Sequence, residues 1–440
     1  MASARHRCEH LPVTMLNTYV SRLLISALLA VFAGAAAAQS TAMFRGGPSH
    51  RGVYEGQLQG TSATVKWRFN TEGRIISSPA IVNGAVYVGS FDGNMYALDE
   101  QKGSPLWRFG TDGPVTSSAA VADGTVFFGS YDGNFYALDA STGKEKWRFA
   151  TRGERRFAAK HIHGIDPPGE TMPDFWDFYL SSPVISNGAV YFGSGDGNVY
   201  KLDAASGRQL WQFATGDVVH SSPALYENTV FVGSFDKYFY AIDAVTGQLK
   251  WKFKTGEDPQ IHNQEGITSS PAILDGTVYF GCRNATVYAL SASDGTLKWT
   301  HKGNRGWVSV SPAVADGKVY VATGSDKAFK VLDATNGNVL YSKAIGAGTF
   351  ASPAIIGHVA LLATFDGQLR SIDLSKDTQT MLLPAAPLPP IQLMSNFYDE
   401  HVAGMMARLK QGAFLSSPVF HDGTIFIGHT DGSLIALGVK

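Results

Sequence analysis

Four residues of this 440-residue chain have the type and placement to grip a ligand: Arg74, His220, Arg305 and Trp307. Each stands a few positions ahead of a small-residue segment such as Ser77-Ser78-Pro79 or Ser221-Ser222-Pro223. Guanidinium, imidazole and indole groups around one opening would hold an anionic planar molecule by charge-assisted hydrogen bonds and stacking. The plainer role is to neutralise backbone carbonyls or rim acids. A polar stretch with Asp258, His262, Asn263 and Glu265 could line the same opening or lie solvated beside it. His161-Ile162-His163 puts two imidazoles on one face of an extended strand, a spacing that suits a metal. No third ligand accompanies them, so surface or packing histidines are expected. The Asp-Gly pairs lack the D-x-D-x-D-G ladder and later Glu of a calcium loop, and read as turn formers. No nucleophile–base set and no glycine-rich phosphate loop stands out. With 36 basic and 37 acidic residues, the formal charge of -1 offers no case for nucleic acid.

What must position these residues is a repeat. Residues 117–149 are its cleanest copy, with runs rich in Val, Phe and Tyr punctuated by Asp123-Gly124, Asp132-Gly133 and Thr142-Gly143. Such runs between Asx-Gly turns read as strands, four antiparallel strands per copy. The second Ser of each copy falls at Ser78, Ser118, Ser182, Ser222, Ser270, Ser311, Ser352 and Ser417, spaced by 40, 64, 40, 48, 41, 41 and 65 residues. A four-stranded unit near forty residues marks a propeller blade, so the expected fold is an all-β, eight-bladed β-propeller. Alternation at period two, as in Thr125-Val126-Phe127-Phe128, rules against a helical solenoid. The last copy stops at Lys440 before its fourth strand, and a spare strand, Val65-Lys66-Trp67-Arg68-Phe69, precedes the first. Pairing the two would close the ring and remove an open edge.

The outer strands carry Trp67, Trp107, Trp147, Trp211, Trp251 and Trp299, then Tyr341 and, weakly, Met381. Ala137, Asp139, Thr142, Gly143 and Trp147, repeated as Ala241, Asp243, Thr246, Gly247 and Trp251, resemble the tryptophan-docking motif AxDxxTGxxxW of PQQ-like, quinoprotein-type propellers. Later copies decay, with Ser291 in place of the Asp and Tyr341 in place of the Trp. The resemblance spans roughly residues 65–437. It implies a propeller whose tryptophans pack between blades rather than stack on a cofactor. The same repeats are similar to those of the outer-membrane assembly factor BamB, a non-enzymatic relative, and to the propeller of quinoprotein dehydrogenases. The second likeness would imply pyrroloquinoline quinone with Ca²⁺ and oxidation of an alcohol or sugar. Against it, the adjacent Cys pair common in those alcohol dehydrogenases is absent, and no carboxylates can be assigned to bind calcium or act as base.

Residues 1–38 read as a signal peptide. An apolar stretch over 23–38 follows Arg22 and ends Ala36-Ala37-Ala38 before Gln39. The stretch is too short for a comfortable membrane span. Met15 is a candidate true start. Cleavage would leave 402 residues (440 minus 38) and one cysteine, Cys282, because Cys8 lies upstream. Cys282 at a strand end reads as a buried inert thiol. The cleavage site has no Cys, so the lipid anchor typical of BamB is missing. Residues 39–63 form a lead-in containing Phe44-Arg45-Gly46-Gly47-Pro48-Ser49-His50, which covers one end of the ring or feeds the closing strand. Residues 64–440 are the propeller.

Strand order also predicts a working face. From the outer aromatic residue to the next Ser the connection is 11 or 12 residues in five blades, but 35, 19 and 36 after Trp147, Trp251 and Met381. These insertions, about 152–180, 257–267 and 384–414, all emerge at the end where the outermost strand returns to the axis. The first runs from Arg152, Arg155, Arg156 and Lys160 to Asp166, Glu170, Asp174 and Asp177, then Phe175, Trp176, Phe178 and Tyr179. The third opens with four prolines and then sets Tyr398, Val402, Met405 and Leu409 on one face of a short helix, capped by Asn396 and stopped by Gly412. Three long loops around one mouth suggest a lid. The expectation is an exported, periplasmic or secreted, monomeric and non-catalytic binding or scaffold module without a transmembrane segment. Its ligand, or a periplasmic or outer-membrane protein partner, would sit on the insertion-bearing face.

Overall fold

The computed structural model describes residues 42–58, 62–160, 171–174, 176–257, 265–303, 308–324, 326–384, 404 and 406–439. The propeller lies in the compact unit Gln39–Lys440. Eight antiparallel four-stranded sheets follow one another around an axis. Blade two shows the plan, from the axis outward: Ala120–Ala122, Thr125–Gly129, Asn134–Asp139 and Glu145–Ala150. Asp123 and Gly124 join its first two strands with φ of 47° and 65°. Both central residues of that two-residue turn are thus left-handed, which matches the twist of the strands it joins. The middle strands are buried on both faces, and the outer strand alternates exposed and half-buried.

The ring closes as the spare strand predicts. Ala63–Asn70 pairs antiparallel with Ser433–Val439 and becomes the outer strand of blade eight. Its Trp67 is buried and donates its indole N–H to the Glu100 carbonyl of blade one at 2.9 Å. The same bond recurs from Trp107 to Ala140, Trp147 to Ala204, Trp211 to Ala244, Trp251 to Ala292 and Trp299 to Ala334. Each indole lies over the turn glycine of the next blade. A Cβ on Gly143 would stand 2.6 Å from the Trp107 ring, and one on Gly103 2.5 Å from Trp67. Those glycines also hold φ of +69° and +66°. They are therefore fixed by two demands, backbone handedness and a slot for an indole.

The decayed copies follow the same logic. Blade seven has Asp377, at φ 52°, where blade two has Gly143. Its Cβ fills the slot, and the facing residue is Tyr341, whose hydroxyl bonds Asp377 Oδ1 at 2.6 Å. Blade eight takes its outer strand from Ala63–Asn70, so it has no such turn, and Met381 is left 41% exposed.

A ring of serines ties the inner strands together. The N–H of Ser78 donates to Ser118 Oγ at 2.8 Å, Ser118 to Ser182 Oγ at 3.0 Å, and Ser182 to Ser222 Oγ at 2.9 Å. The series continues through Ser270, Ser311, Ser352 and Ser417, whose N–H returns to Ser78 Oγ at 3.1 Å. The serine that counts the repeats is therefore the residue that satisfies the inner edge of the neighbouring blade.

The lead-in fills the axis. Val121, Leu225, Ile273, Val314 and Ile355, middle residues of five inner strands, donate their N–H groups to the carbonyls of Ala42, Pro48, Ser49, Arg51 and Gly52. Val53–Tyr54 adds a parallel strand to Ala354–Ile356. Arg45 is fully buried, with Nη1 and Nη2 on the carbonyls of Pro353 and Pro312 at 2.6 and 2.7 Å, and burial holds its pKa down at about 10. Innermost strands have one unpaired edge, and this segment supplies the missing partners.

Candidate functional site

The mouth is built by residues that return from an outer strand to the axis. The position just before each pair of small inner residues points inward: Ile76, Thr116, Leu180, His220, Thr268, Ser309, Phe350 and Leu415 form a layer over the serine ring. Between this layer, Phe44 of the lead-in, and Trp176, Asp177 and Tyr179 of the first insertion lies an axial cavity of about 60 Å³. All eight ring serines line it.

The first insertion is fastened over this cavity by buried charge. Ala158–Lys160 and Thr171–Pro173 pair as an antiparallel stem. Before the stem, Glu154 accepts from Ser194 Oγ at 2.7 Å and from the Gly195 N–H at 2.6 Å. After it, Asp177 accepts from the Phe157 N–H at 2.6 Å. His220, 1% exposed in its side chain, lies between them, with Nδ1 2.7 Å from Asp177 Oδ1 and Nε2 3.5 Å from Glu154 Oε2. Burial alone would push this imidazolium's pKa down. The two carboxylates outweigh burial and raise it to about 9. A second buried pair joins Arg283 of blade five to Asp174, with the Arg283 guanidinium 4.9 Å above the Phe235 ring. The second insertion is held at its described end by Lys237 and the buried Glu265, 2.7 Å apart.

Apolar contact joins the first and third insertions. Phe178, Leu409, Ala413, Leu415 and Ile76 form one buried cluster, with Trp176, Tyr179, Phe91, Phe350 and Phe365 packed around it. Trp176 stacks on Phe350 at 4.9 Å, and Tyr179 donates to the Leu415 carbonyl at 2.8 Å. Leu409 belongs to a helix whose described residues are 404 and 406–411, and Gly412 at φ +122° ends it. Trp176, Phe178 and Tyr179 are thus spent on docking, as is the apolar face of the helix at Leu409, while Phe175 lies outside the described residues. Asn396, Tyr398, Val402 and Met405 lie outside the described residues.

Among the ligand candidates, His220 lines the cavity but faces the insertion's carboxylates. Arg74 sits two positions further from its inner strand than His220 does and does not reach the axis. It lies 5.8 Å above the Phe91 ring and 4.0 Å from Met406 Sδ, in a groove at the rim. Arg305, Trp307 and His262 lie outside the described residues, as do His161, His163, Asp258 and Asn263. Glu154, Asp174 and Arg283, which sequence reasoning did not single out as partners of the mouth, carry much of its electrostatics. For His220 the available signal was its place in the inward-pointing layer, where the other seven residues are uncharged.

The recurrent turn acids are occupied locally. On the opposite face Asp139 Oδ1 accepts from Ser141 and Thr142, and in the turn between the second and third strands, on the insertion-bearing face, Asp132 accepts from Asn134 and the Tyr136 hydroxyl. Cys282 is fully buried near the Gly266 carbonyl, and burial pushes its thiol pKa up.

A family model described as outer membrane protein assembly factor BamB matches residues 56–164 and 159–376. The chain belongs to this family. No curated protein matches it. This BamB-type propeller is similar to the crystal structure of BamB from Moraxella catarrhalis, with 16% identity, TM-score 0.64, and 86% of this chain and 99% of that one covered. It is equally similar to a europium-containing methanol dehydrogenase, with 14% identity, TM-score 0.66, and 94% and 100% covered. The quinohemoprotein alcohol dehydrogenase of Comamonas testosteroni gives 14% identity, TM-score 0.67, and 93% and 82% covered. Identities this low establish the shared propeller and no more.

The quinone that the dehydrogenase likeness brings to mind does not fit the described site. Ligand pockets usually offer about 300–1,000 Å³, whereas the axial cavity has about 60 Å³. Pyrroloquinoline quinone carries three carboxylates, and the cavity's two cations, His220 and Arg283, are already paired with Asp177, Glu154 and Asp174. Among the described residues, no group of three or more His, Cys, Asp or Glu is placed to hold a metal.

Proposed function

We propose that this chain is an exported, non-catalytic binding or scaffold module that engages a protein partner through its insertion-bearing face. The observation that carries this reading is the fastening of the first insertion. Its titratable groups, Glu154, Asp174, Asp177, His220 and Arg283, are committed to one another and hold a loop in place. They build a surface and, among the described residues, leave no general acid or base at an open cavity. The distinctive chemistry of the molecule then lies outside the axis, on the loops that differ from blade to blade. The opposite face repeats one turn chemistry and offers a partner little to discriminate. Family membership supports a role in association with an outer-membrane assembly partner, and the Ala36-Ala37-Ala38 segment supports export. Among the described residues, no helix is long and apolar enough to cross a membrane.

Site-specific photocrosslinkers test this reading in cells that export the protein. A crosslinker at Lys410, on the insertion-bearing face, should capture a defined protein, and one at Thr142, on the other face, should not. The reverse pattern would overturn the assignment of the face. Titration with pyrroloquinoline quinone and Ca²⁺ should give neither binding nor dye reduction. N-terminal sequencing of the exported protein should begin at Gln39.

A further inference from the structure

Among the described residues, the rim beside the lid carries positive charge with no carboxylate paired to it. A groove of about 720 Å³ runs between the connection at Glu72 and Arg74, the turn at Phe91, and the third-insertion helix at Met406 and Lys410, with Asp431 at one end. Its floor is apolar. Phe91 is half-buried, and Met406 is 42% exposed, the form in which a flexible thioether adapts to a partner surface. Of its two acids, Asp431 is occupied by Arg68 at 3.3 Å and His429 at 2.9 Å, leaving Glu72 as the one acid facing two cations. Arg74 rests on Phe91 and the Met406 sulfur instead of on a carboxylate. Arg156 stands close enough to repel it, and partial burial together with that repulsion lowers the Arg74 pKa. Among the described residues, no carboxylate lies within ion-pair distance of Arg74, Arg156 or Lys410.

The partly buried Arg74 guanidinium, with a like charge nearby, raises the free energy of the unbound protein, and an anion against it would relieve this. Arginine beside an aromatic ring, centred on an apolar floor, is also the usual make-up of a strong protein contact. We propose that this groove binds an acidic protein segment in which carboxylates flank an apolar side chain. The carboxylates would meet Arg74 and Lys410, and the apolar side chain would settle between Phe91 and Met406. The proposal rests on the reading above that the insertion-bearing face is the working one, and it names the chemistry that face selects.

The experiment uses the full-length mature protein and a fluorescein-labelled hexapeptide with two glutamates around a leucine. Its controls are a twin with glutamines, a twin with serine for leucine, and vesicles of phosphatidylglycerol. The glutamate peptide should bind, and both twins should bind at least tenfold more weakly. Raising salt from 50 to 300 mM should weaken binding further. Arg74→Glu with Lys410→Glu should abolish it while leaving the melting temperature unchanged, and the milder Arg74→Ala should weaken it severalfold. Binding of the glutamine twin as tight as the parent, or binding retained in the double charge reversal, overturns the proposal. Preferential capture of the vesicles, lost in the same variant, overturns it in favour of a lipid surface. Absence of peptide binding while crosslinks still map to Lys410 overturns this inference alone. Crosslinks mapping to Thr142 overturn the reading beneath it.

Discussion

His220 carries both ends of the first insertion on one ring, so its protonation should set how firmly that insertion is held. Its folded pKa is raised to about 9, against about 6.5 for a free histidine. A raised folded pKa means that the folded state binds the proton more tightly, so the contribution is complete below pH 6.5 and is lost as pH rises through 9. The full linkage is the difference of about 2.5 units at about 1.4 kcal/mol per unit, or about 3 kcal/mol. By the same relation about 1.4 kcal/mol remains at pH 8, and under about half a kcal/mol at pH 9. The loss should be felt first at the insertion, because Asp177 holds the Phe157 N–H as well as the imidazole. Hydrogen exchange of residues 154–160, corrected for the intrinsic pH dependence of the rate, should therefore accelerate steeply between pH 7 and 9.5. His220→Gln leaves two buried carboxylates without a cation and should cost about 3–5 kcal/mol. It should also remove the pH dependence, leaving a flat profile over the same range. Equal slopes in wild type and variant, or a wild type that becomes more stable from pH 6 to 9, would refute the assignment of the clamp.

Deleting Ala63–Asn70 should expose the Ser433–Val439 edge and remove buried Trp67, a loss of about 3–5 kcal/mol for the indole alone; wild-type melting and solubility would show that the ring closes by other means. Gly143→Ala should destabilise by more than about 1 kcal/mol, read by urea denaturation, because the new Cβ meets both a left-handed φ and the Trp107 ring. Tyr341→Trp should destabilise alone but be rescued by Asp377→Gly, giving a favourable coupling energy in a double-mutant cycle. Arg45→Met should cost about 1–3 kcal/mol in the same assay by leaving the Pro312 and Pro353 carbonyls unpaired.

The scaffold was legible because it is written locally and repeated. Turn pairs such as Asp123-Gly124 set strand ends within a few residues, and eight copies averaged away the irregular ones. Even the closing strand could be found by counting, since blade eight lacked an outer strand and Val65-Lys66-Trp67-Arg68-Phe69 was left over. The irregular copies also became intelligible as pairs: Asp377 in place of a glycine and Tyr341 in place of a tryptophan are one change in two neighbouring blades. Read along the sequence alone, the Tyr341 change looked like independent decay.

The mouth was only half legible, and the reason lies in how its energy is distributed. His220 and Asp177 are 43 residues apart, and Arg283 and Asp174 are 109 apart. No repeat relates them, so period and spacing carry no trace of the pairing. Arg74 and His220 looked alike as basic residues before an inner strand, yet a difference of two positions sends one to the rim and the other to the axis. That separation decides their chemistry. At the axis every described cation is held by buried acceptors: Arg45 by the Pro312 and Pro353 carbonyls, with its pKa lowered by burial, and His220 and Arg283 by carboxylates, so all three serve the fold. At the rim partial solvation lets Arg74 stand without an acid among the described residues, free to meet one brought by another molecule. The ligand-seeking charge of a plugged propeller therefore belongs on the shoulder of its mouth, where exposure makes an unpaired cation tolerable and a partner's carboxylate can still displace water from it.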